Sequence, residues 1–360
     1  MARPSVYVAI TNHGFGHITR TASVLAELQR RCPDLSLIVA TTAPHWLLEA
    51  YLSEDFIHRP RQLDIGVIQS DSLTMDRAAT LYELQKLQSA APALIKAESQ
   101  FIRAQGVQLV LADIPPIATQ IAKAAGVPCW MMSNFGWDLI YEHWGDEFSE
   151  MVQWIQACFA GCDRLFRLPF HAPMSVFPRM EDVGLTGGTP RFTASELRAK
   201  LNLTAPQEKV VLLTFGGLGL HTIPYHHLEY FPDWQFITFD THAPEKWPNL
   251  IKMNGQAYRP VDIMPACGCL ISKPGYGTFA EACRLEIPII SLPRADFAEA
   301  PYLLAGLQQY SRHQILEPGE FTTSCWEFLH RPLHPPQSKA RLATNGNEAI
   351  AQAVLDFLVV

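Results

Sequence analysis

The sequence lacks the features that define several protein classes. Its eight cysteines are scattered, and none has the paired Cys-x-x-Cys spacing of a zinc site. No apolar run reaches the roughly 18 residues of a membrane span, and the N-terminus does not have the charged and apolar regions of a signal peptide. No internal repeat or low-complexity segment is found. We therefore expect a globular, cytoplasmic protein whose cysteines are buried, reduced thiols.

An excess of positive charge is also missing. The net charge is −7 and the pI is about 6.0, which argues against a nucleic-acid partner but permits a local basic pocket. The chain has 360 residues, of which 48% are hydrophobic and 18% are charged, so it can form a large core and is not disordered. This length suggests two domains. The oligomeric state does not follow from these quantities.

Short apolar runs alternate with amphipathic segments along both halves of the chain. In the first half, strands are predicted at Val6–Ile10, Leu35–Ala40, Val107–Ala112, Val127–Met132 and Arg164–Leu168. The intervening helices are predicted at Thr19–Arg31, Pro44–Leu52, Arg77–Arg103 with a break at Pro92, Pro116–Ala125 and Trp137–Cys162. This alternation is typical of a doubly wound parallel sheet.

The second half repeats the alternation after a segment rich in proline and glycine. Strands are predicted at Val210–Phe215, Gln235–Phe239, Leu270–Ile271 and Ile287–Leu292, with helices at Ala300–Tyr310 and Asn347–Leu358. We predict an α/β protein with two doubly wound, Rossmann-like domains that face each other across a cleft. The expected boundaries are residues 1–168 for the first domain, 169–191 for a linker, 192–345 for the second domain and 346–360 for a closing helix.

The clearest binding motif is the stretch Lys273–Glu281. A strand precedes it, two glycines stand two residues apart, and a helix follows. The free N–H groups of a helix N-terminus bind anions, and Lys273 adds a charge beside them. Glu281 lies one turn further along and can accept a bond from a hydroxyl. The stretch predicts a phosphate site next to a sugar, although an ordinary strand-to-helix turn also fits it.

A similar loop follows the first strand and carries two histidines. His13 and His17 flank Gly14-Phe15-Gly16, and a histidine at the mouth of a cleft is suited to act as a general base. Asp113 ends another strand and is expected at the same rim, where it could orient His17 and stabilise its charged form. A solvent or capping role for the histidines, and a helix N-cap role for Asp113, are the alternatives.

Three further loops follow predicted strands. Asn134–Asp138 carries aromatic residues that could pack against a sugar ring or within the core. Gly216-Gly217 could bring backbone N–H groups to a phosphate. The segment Arg294–Glu299 carries two acids that could bind sugar hydroxyls or be solvated.

The second-half motifs resemble the nucleotide-sugar signature of GT-B glycosyltransferases. The resemblance implies that the diphosphate lies at Gly275, Tyr276, Gly277 and Thr278, that Glu281 binds the ribose, and that Asp296 and Glu299 bind the donor sugar. Gly216, Gly217 and Lys273 are the further residues that we expect on the donor side. The pair Gly16-His17 resembles the catalytic-base loop of inverting members, with Asp113 as its partner. Lys273 occupies the position where retaining enzymes usually have a glutamate, which favours inversion.

A second resemblance covers nearly the whole chain. The motifs at Gly14–Arg20, Asp71–Arg77, Asn134–Tyr141, Arg167–Pro173, Lys273–Thr278 and Arg294–Pro301 are similar to those of the GT-B-like N-terminal half of the L-arabinokinases. A sugar kinase follows that half in the family. The present sequence has no kinase-type phosphate loop, so arabinose phosphorylation is not expected.

These observations predict a metal-independent, inverting glycosyltransferase without a cofactor, because the sequence has no Asp-x-Asp motif. A nucleotide-diphosphate sugar would be the co-substrate, and a hydroxyl-bearing molecule would be the acceptor. His17 and Asp113 would be catalytic, and the acceptor would lie near His13, Phe15, Arg20, Asn134, Trp137 and Asp138. A non-catalytic sugar-binding or nucleotide-sugar-binding module and a nucleotide-sugar epimerase are the alternatives.

Overall fold

The computed structural model describes residues 3–358, which contain two fully parallel sheets with helices packed against them. The first sheet has the order β3-β2-β1-β4-β5-β6-β7 and the second has the order β10-β9-β8-β11-β12-β13. Strands β1 to β7 are Ser5–Ile10, Ser36–Ala40, Ile57–Arg59, Leu109–Asp113, Cys129–Ser133, Arg164–Arg167 and Met180–Asp182. Strands β8 to β13 are Val210–Thr214, Gln235–Thr238, Leu250–Lys252, Cys269–Ser272, Ile289–Ser291 and His313–Ile315.

Twelve α-helices and five short 3₁₀ turns connect these strands within the described residues. Helices α1 to α6 are Gly14–Arg31, His45–Glu49, Arg77–Ala104, Ala118–Ala125, Trp137–Glu142 and Ser149–Phe159. Helices α7 to α12 are Ala194–Lys200, Pro260–Ile263, Tyr276–Arg284, Ala300–Tyr310, Glu320–Thr323 and Gly346–Leu358. None of the helices within residues 3–358 is both long and apolar enough to cross a lipid bilayer.

The predicted fold class is confirmed, and the order of the strands explains where the cleft lies. Every residue of β1, β4 and β8 is buried, because helices cover both faces of a parallel sheet. In each sheet the chain reverses its direction of winding next to the first strand, between β1 and β4 and between β8 and β11. Ligands bind at this reversal, beyond the carboxyl ends of the strands. The loops that follow β1, β4, β8 and β11 therefore meet in the cleft.

Helix α1 begins at Gly14, five residues before the predicted start. Most of residues 11–17, which were expected to form a loop, are therefore helical. His17 lies in the first turns of α1 rather than in a connecting loop. Gly14 has a φ of +69°, which glycine adopts without steric cost and which turns the chain from β1 into the helix.

The predicted break at Pro92 is wrong, because α3 continues through it as a 28-residue helix. Pro92 is exposed, and it removes the backbone bond to the carbonyl of Gln88 on a side of the helix that water can reach. The buried Leu84, Leu87 and Ala91 hold the helix on the sheet across this position.

Two other predictions of element boundaries need correction. The helix predicted over residues 137–162 is two helices, α5 and α6, which are separated at Gly145, where φ is +110°. The predicted linker contains β7, a three-residue edge strand that pairs with β6. The sequence also did not reveal β3, β10 and β13, whose three residues are too few to form a recognisable period.

The last helix, α12, packs on the first domain although the second domain precedes it. Gln352 accepts a hydrogen bond of 2.7 Å from Arg31 of α1, and the rings of Phe357 and Trp130 lie 5.1 Å apart. One buried apolar cluster includes residues of both sheets, among them Val8 and Leu212. Residues 359 and 360 of the predicted closing segment lie outside the described residues.

Candidate functional site

The cleft brings His17 and Asp113 together. Asp113 is the last residue of β4 and pairs in register with Ile10, the last residue of β1, so its side chain reaches α1. His17 Nδ1 lies 2.8 Å from Asp113 Oδ1, and both side chains are buried. The alternative role of Asp113 as a helix N-cap is excluded, because α4 begins at Ala118 with Ile117 as its cap residue.

Arg20 is the third member of this group. Its Nε donates to Asp113 Oδ2 at 2.7 Å and its Nη2 donates to Asp113 Oδ1 at 2.5 Å. The Thr21 hydroxyl also donates to Oδ2, at 2.8 Å. The buried carboxylate therefore accepts two bonds from Arg20 and one from Thr21, which engage both of its oxygens, and His17 Nδ1 lies within hydrogen-bond distance of Oδ1.

The hydrogen-bond donors of Arg20 bear on the tautomer of His17. Arg20 Nη2 carries two protons and lies close to three acceptors: Asp113 Oδ1, Ser133 Oγ at 3.1 Å and His17 Nδ1 at 2.9 Å. When the first two acceptors take both protons, Nδ1 of His17 must itself carry a proton and donate it to Asp113. Its Nε2 is then unprotonated, which is the state that a general base requires.

The electrostatics of the group keep His17 neutral. Burial and the charge of Arg20 lower the pKa of His17, and they outweigh Asp113, which raises it. Arg20 and His17 also hold the pKa of the Asp113 carboxyl well below its usual value, against the effect of burial. Asp113 was predicted to stabilise a charged His17, but Arg20 neutralises much of this effect.

His13 lies beside His17 but has different partners. Its Nδ1 accepts a hydrogen bond of 3.1 Å from the backbone N–H of Val67, so its Nε2 carries the proton of the neutral ring. The ring stacks on Phe297 of the second domain, with 5.8 Å between centroids. Burial and the charges of nearby cations lower its pKa well below the usual value. His13 is thus a hydrogen-bond donor toward the cleft.

The N-terminus of α9 forms the opposite wall of the cleft. Gly275 is the cap residue and no side chain caps the helix, so its first N–H groups are free for a ligand. A Cβ atom placed on Gly277 would lie only 3.3 Å from Gly16 Cα. The first turns of α1 and α9 therefore approach each other closely, and the positive ends of both helix dipoles lie at one cavity.

Two cations without a hydrogen-bond acceptor or ion-pair partner among residues 3–358 lie next to these helix ends. Arg294 is 7% exposed, and its Nε and Nη2 atoms are buried without a hydrogen-bond acceptor. The Lys273 ammonium forms no hydrogen bond or ion pair within the described residues, and burial together with Arg294 lowers its pKa to about 7. Burial also lowers the pKa of Arg294, to about 10. Leaving charged donors unpaired is costly, so this arrangement indicates an anionic ligand.

Gly216 and Gly217 line the same cavity. Gly217 lies directly under Phe15 of the first domain, since a Cβ atom there would come within 2.7 Å of the Phe15 ring. Nearby, Ser72 donates a hydrogen bond of 2.6 Å to the carbonyl of Phe215. The loop after β8 is thus held against the first domain by apolar and polar contacts.

Glu281, the predicted ribose ligand, lies outside the cavity. Its Oε1 accepts a hydrogen bond of 2.9 Å from the N–H of Gly188 in the linker, and burial raises its pKa to about 7. A Cβ atom on Gly188 would lie 3.0 Å from the Tyr51 ring and 3.2 Å from Glu281 Oε1. A ribose hydroxyl could reach Glu281 only if this part of the linker moved, and the assignment stays a prediction.

The two acids after β12 point in different directions. Glu299 is buried and lines the cavity, and its Oε1 accepts a hydrogen bond of 2.7 Å from Asn134 Nδ2. Asp296 is exposed, pairs with Arg77 at 3.2 Å and does not line the cavity. The geometry therefore favours Glu299 as a ligand for the donor sugar and does not support Asp296.

The remaining predicted residues divide between the cavity wall and the packing behind it. Trp137 is buried, donates a hydrogen bond of 3.0 Å to Asp64 and packs 5.1 Å from the His13 ring. Asp138 lies in the first turn of α5, away from the cavity lining. The Tyr276 ring lies under Arg20, with 5.0 Å from its centroid to the guanidinium carbon. Thr278 lines the cavity at the start of α9.

Two adjoining cavities lie between the domains. The first encloses about 100 Å³ and contains His17, Lys273, Arg294 and Glu299 in its wall. The second encloses about 390 Å³, and its described lining includes no Asp, Glu, Lys or Arg. His13, Phe15 and Gln69 lie between them and line both, and Gln69 Nε2 is buried without an acceptor. Within residues 3–358, no group of three or more His, Cys, Asp or Glu side chains could hold a metal ion.

The sequence reasoning missed three residues of the site. Arg294 directly follows a buried strand and a proline, and this position alone could have marked it as a cleft residue. Gln69 and Ser72 lie in a segment without periodicity, and nothing in the sequence indicated that it reaches the second domain.

Comparisons with solved structures identify the fold. A glycotransferase of kitacinnamycin aligns with a TM-score of 0.65 at 14% identity and covers 99% of this chain and 100% of its own. The calicheamicin glycosyltransferase CalG4 aligns with a TM-score of 0.64 at 16% identity, over 100% and 99% of the two chains. Arabidopsis thaliana UGT89C1, solved with UDP, aligns with a TM-score of 0.62 at 12% identity, over 99% of each chain. The chain has the GT-B fold of these glycosyltransferases.

The sequence comparison is more specific. The chain is 30% identical over 313 residues to L-arabinokinase of Arabidopsis thaliana. The match covers 84% of this chain and 29% of that protein, so the chain spans less than a third of its relative's length. No protein-family model matches the chain.

Proposed function

We propose that the protein transfers a sugar from a nucleoside-diphosphate sugar to a hydroxyl group, with inversion and without a metal ion. The observation that carries the proposal is a pair of cations at the N-terminus of α9, across one cavity from His17. Lys273 and Arg294 have no hydrogen-bond acceptor or ion-pair partner for their charged groups in the part of the chain that the structure describes. Together they suit a diphosphate leaving group facing a general base.

The reaction is a single displacement. His17 Nε2 takes the proton of the acceptor hydroxyl while the acceptor oxygen bonds to the anomeric carbon of the donor sugar. The bond from that carbon to the diphosphate breaks, and its electron pair leaves with the diphosphate. Lys273, Arg294 and the free N–H groups of α9 stabilise the resulting charge. One displacement inverts the anomeric configuration.

The second cavity suits the acceptor. It adjoins the first cavity at His13. Its wall contains uncharged polar groups and the apolar side chains of Phe15, Ile18, Ile65 and Val67. Because its described lining carries no charged side chain, we expect an uncharged acceptor with an apolar surface and at least one hydroxyl. Several GT-B neighbours were solved with UDP, which makes UDP and UDP-sugars the first ligands to test.

The first experiment measures UDP binding by calorimetry and then sugar transfer from a panel of UDP-sugars to uncharged hydroxyl compounds. His17→Ala should lower turnover by about 10²–10⁴-fold while UDP binding stays unchanged, because the base acts only in the chemical step. His45→Ala, at an exposed histidine outside the cleft, is the control. Unchanged turnover in His17→Ala would exclude the proposed base, and a product with retained configuration would exclude the single displacement.

A non-catalytic sugar-binding module is the second candidate. The similarity to L-arabinokinase supports this role. The chain matches only 29% of that protein, so the matched segment need not carry out the reaction for which the relative is named. UDP or UDP-sugar binding without transfer to any acceptor, and without hydrolysis, would favour this role. A change of the sugar with the donor alone would instead indicate an epimerase.

A further inference from the structure

Arg20 is the most enclosed cation of the molecule. It is 1% exposed and lies in α1 between the ends of β4 and β5, with the Tyr276 ring of α9 on its other side. It therefore contacts both domains, although it belongs to the first. Neither the predicted acceptor role nor the proposed reaction explains why a guanidinium should be buried there.

The hydrogen bonds of Arg20 form a continuous chain. Its Nε and Nη2 hold Asp113, and its Nη1 donates to Asn134 Oδ1 at 2.8 Å. Asn134 Nδ2 in turn donates to Glu299 Oε1 at 2.7 Å. Glu299 follows β12 of the second domain. The hydrogen bonds therefore cross the cleft, from His17 through Asp113, Arg20 and Asn134 to Glu299.

We infer that Arg20 is a positioning residue that fixes the proton of His17 on Nδ1 and couples the His17–Asp113 pair through Asn134 to Glu299 of the opposite domain. This inference rests on the proposed function for the role of His17 as a base. The hydrogen-bond chain itself can be tested without any substrate.

The shape of the guanidinium explains why the residue is an arginine. Its planar fork bonds both oxygens of Asp113 and still directs Nη1 toward Asn134, which a lysine ammonium cannot do in one position. Because Asp113 and Ser133 accept both protons of Arg20 Nη2, none is left for His17 Nδ1, which then donates its own proton to Asp113.

This chain of hydrogen bonds makes the orientation of His17 depend on the contact between the two domains. If the two domains separate, the bond between Asn134 and Glu299 and the contact of Arg20 with Tyr276 are lost. Glu299 also lines the donor cavity, so a donor sugar that binds it acts at the other end of the chain. The geometry thus links donor binding to the orientation of the base.

Four charged or titratable groups face His17: Asp113, Arg20, His13 and Glu299. Of these, Arg20 is the cation closest to the His17 ring, and removing its charge leaves that of Asp113 unopposed. The titration midpoint of His17 should therefore move upward when Arg20 is neutralised. Water entering a loosened site would also raise the midpoint, because burial lowers the pKa of His17, so a variant that keeps the charge is needed to separate the two effects.

The experiment records ¹⁵N NMR spectra of the labelled imidazoles in the full chain over a pH series. In the native protein we expect His17 to be protonated on Nδ1 alone. Arg20→Gln should raise the His17 midpoint, whereas Arg20→Lys should keep the midpoint nearly unchanged but give a mixture of the two tautomers. Arg59→Gln, which disrupts a comparable arginine pair with the buried Glu98 outside the cleft, should change neither. Unchanged tautomer and midpoint in the Arg20 variants would overturn the inference.

Two further measurements keep the inference decidable. If Arg20→Gln does not fold, the tautomer of His17 in Arg20→Lys tests the inference by itself. Asn134→Ala removes the hydrogen bonds from Arg20 to Asn134 and from Asn134 to Glu299 but leaves Asp113 in place. It should also produce mixed His17 tautomers. A native spectrum in this variant would exclude the coupling to Glu299. If the native protein binds no UDP and transfers no sugar, the proposed function fails while the NMR result still decides the role of Arg20.

Discussion

Arg294 has buried, charged donors without an acceptor among the described residues, and the ammonium of the partly buried Lys273 has no hydrogen-bond or ion-pair partner there either. Each charge-assisted hydrogen bond to a ligand contributes about 1.5–3 kcal/mol. We therefore expect these two side chains to bind an anion. The same cost explains why the pKa of both groups is lowered in the ligand-free protein.

We predict that Lys273→Ala and Arg294→Ala each weaken UDP binding by roughly 10–100-fold, since each removes one such bond. Calorimetric titration with UDP measures this change. Lys246→Ala, at an exposed lysine of the same domain, is the matched control and should bind UDP as the native protein does. Native affinity in both cleft variants would show that the diphosphate binds elsewhere.

The pKa of Lys273 predicts a pH dependence of binding. Its folded-state pKa is lowered to about 7, so the free protein loses the proton of Lys273 as the pH rises through this value. An anion binds the protonated form, and UDP affinity should therefore fall from about pH 7 to about pH 9, by up to about tenfold per unit.

Lys273→Arg tests this directly, because arginine remains charged throughout that range. Its UDP affinity should be nearly independent of pH under the same conditions. An equal slope in the native protein and in Lys273→Arg would assign the titration to another group.

Among the elements, α3 tolerates a proline that the sequence pattern treats as a break. The long apolar face of the helix is anchored on the sheet, and Pro92 lies on the exposed side, so the lost hydrogen bond faces water. Tertiary packing thus overrides local propensity in this helix.

We predict that Pro92→Ala raises the free energy of unfolding by about 1–3 kcal/mol, because it restores a backbone N–H inside the helix and removes a clash with the preceding turn. Denaturant unfolding measures the change. Gln100→Ala, at another exposed position of α3, should stay within about 0.5 kcal/mol of the native protein. A lower free energy of unfolding in Pro92→Ala would mean that the proline stabilises the native protein.

At the scale of the whole molecule, the two domains meet at α1, α9 and the loop after β8. Phe15 covers Gly217, and the first turns of α1 and α9 touch through Gly16 and Gly277. The cavity that contains Lys273 exists only because these surfaces are in contact.

Gly217→Ala should force the Phe15 ring aside and cost about 1–3 kcal/mol in the free energy of unfolding, as overpacking does. Phe15→Ala in the same chain should recover most of this loss, which a double-mutant cycle quantifies. Gly255→Ala is the control, because its Cβ would lie 3.9 Å from the nearest neighbouring atom. Additive effects of the two substitutions would contradict the packing described here.

Much of the site could be predicted from the sequence because it lies in loops that directly follow strands. His17, Asp113 and Lys273 were found in this way, since the carboxyl ends of parallel strands meet at one edge of a sheet. The environment of Glu281 could not be predicted, because it depends on a hydrogen bond to Gly188, 93 residues away in the chain. Asp296 and Glu299 are only three residues apart, yet one faces solvent and the other faces the cavity.

The sequence by itself determined the two parallel α/β units and the loops that form the cleft, because apolar periodicity and glycine turns are local properties. Only the tertiary structure decided which charges are paired. Arg20 neutralises Asp113 across 93 residues of chain, while Lys273 and Arg294 have no ion-pair partner among the described residues. Pairing and desolvation depend on distances of a few ångströms between distant segments, and those distances are fixed only when both domains have packed together.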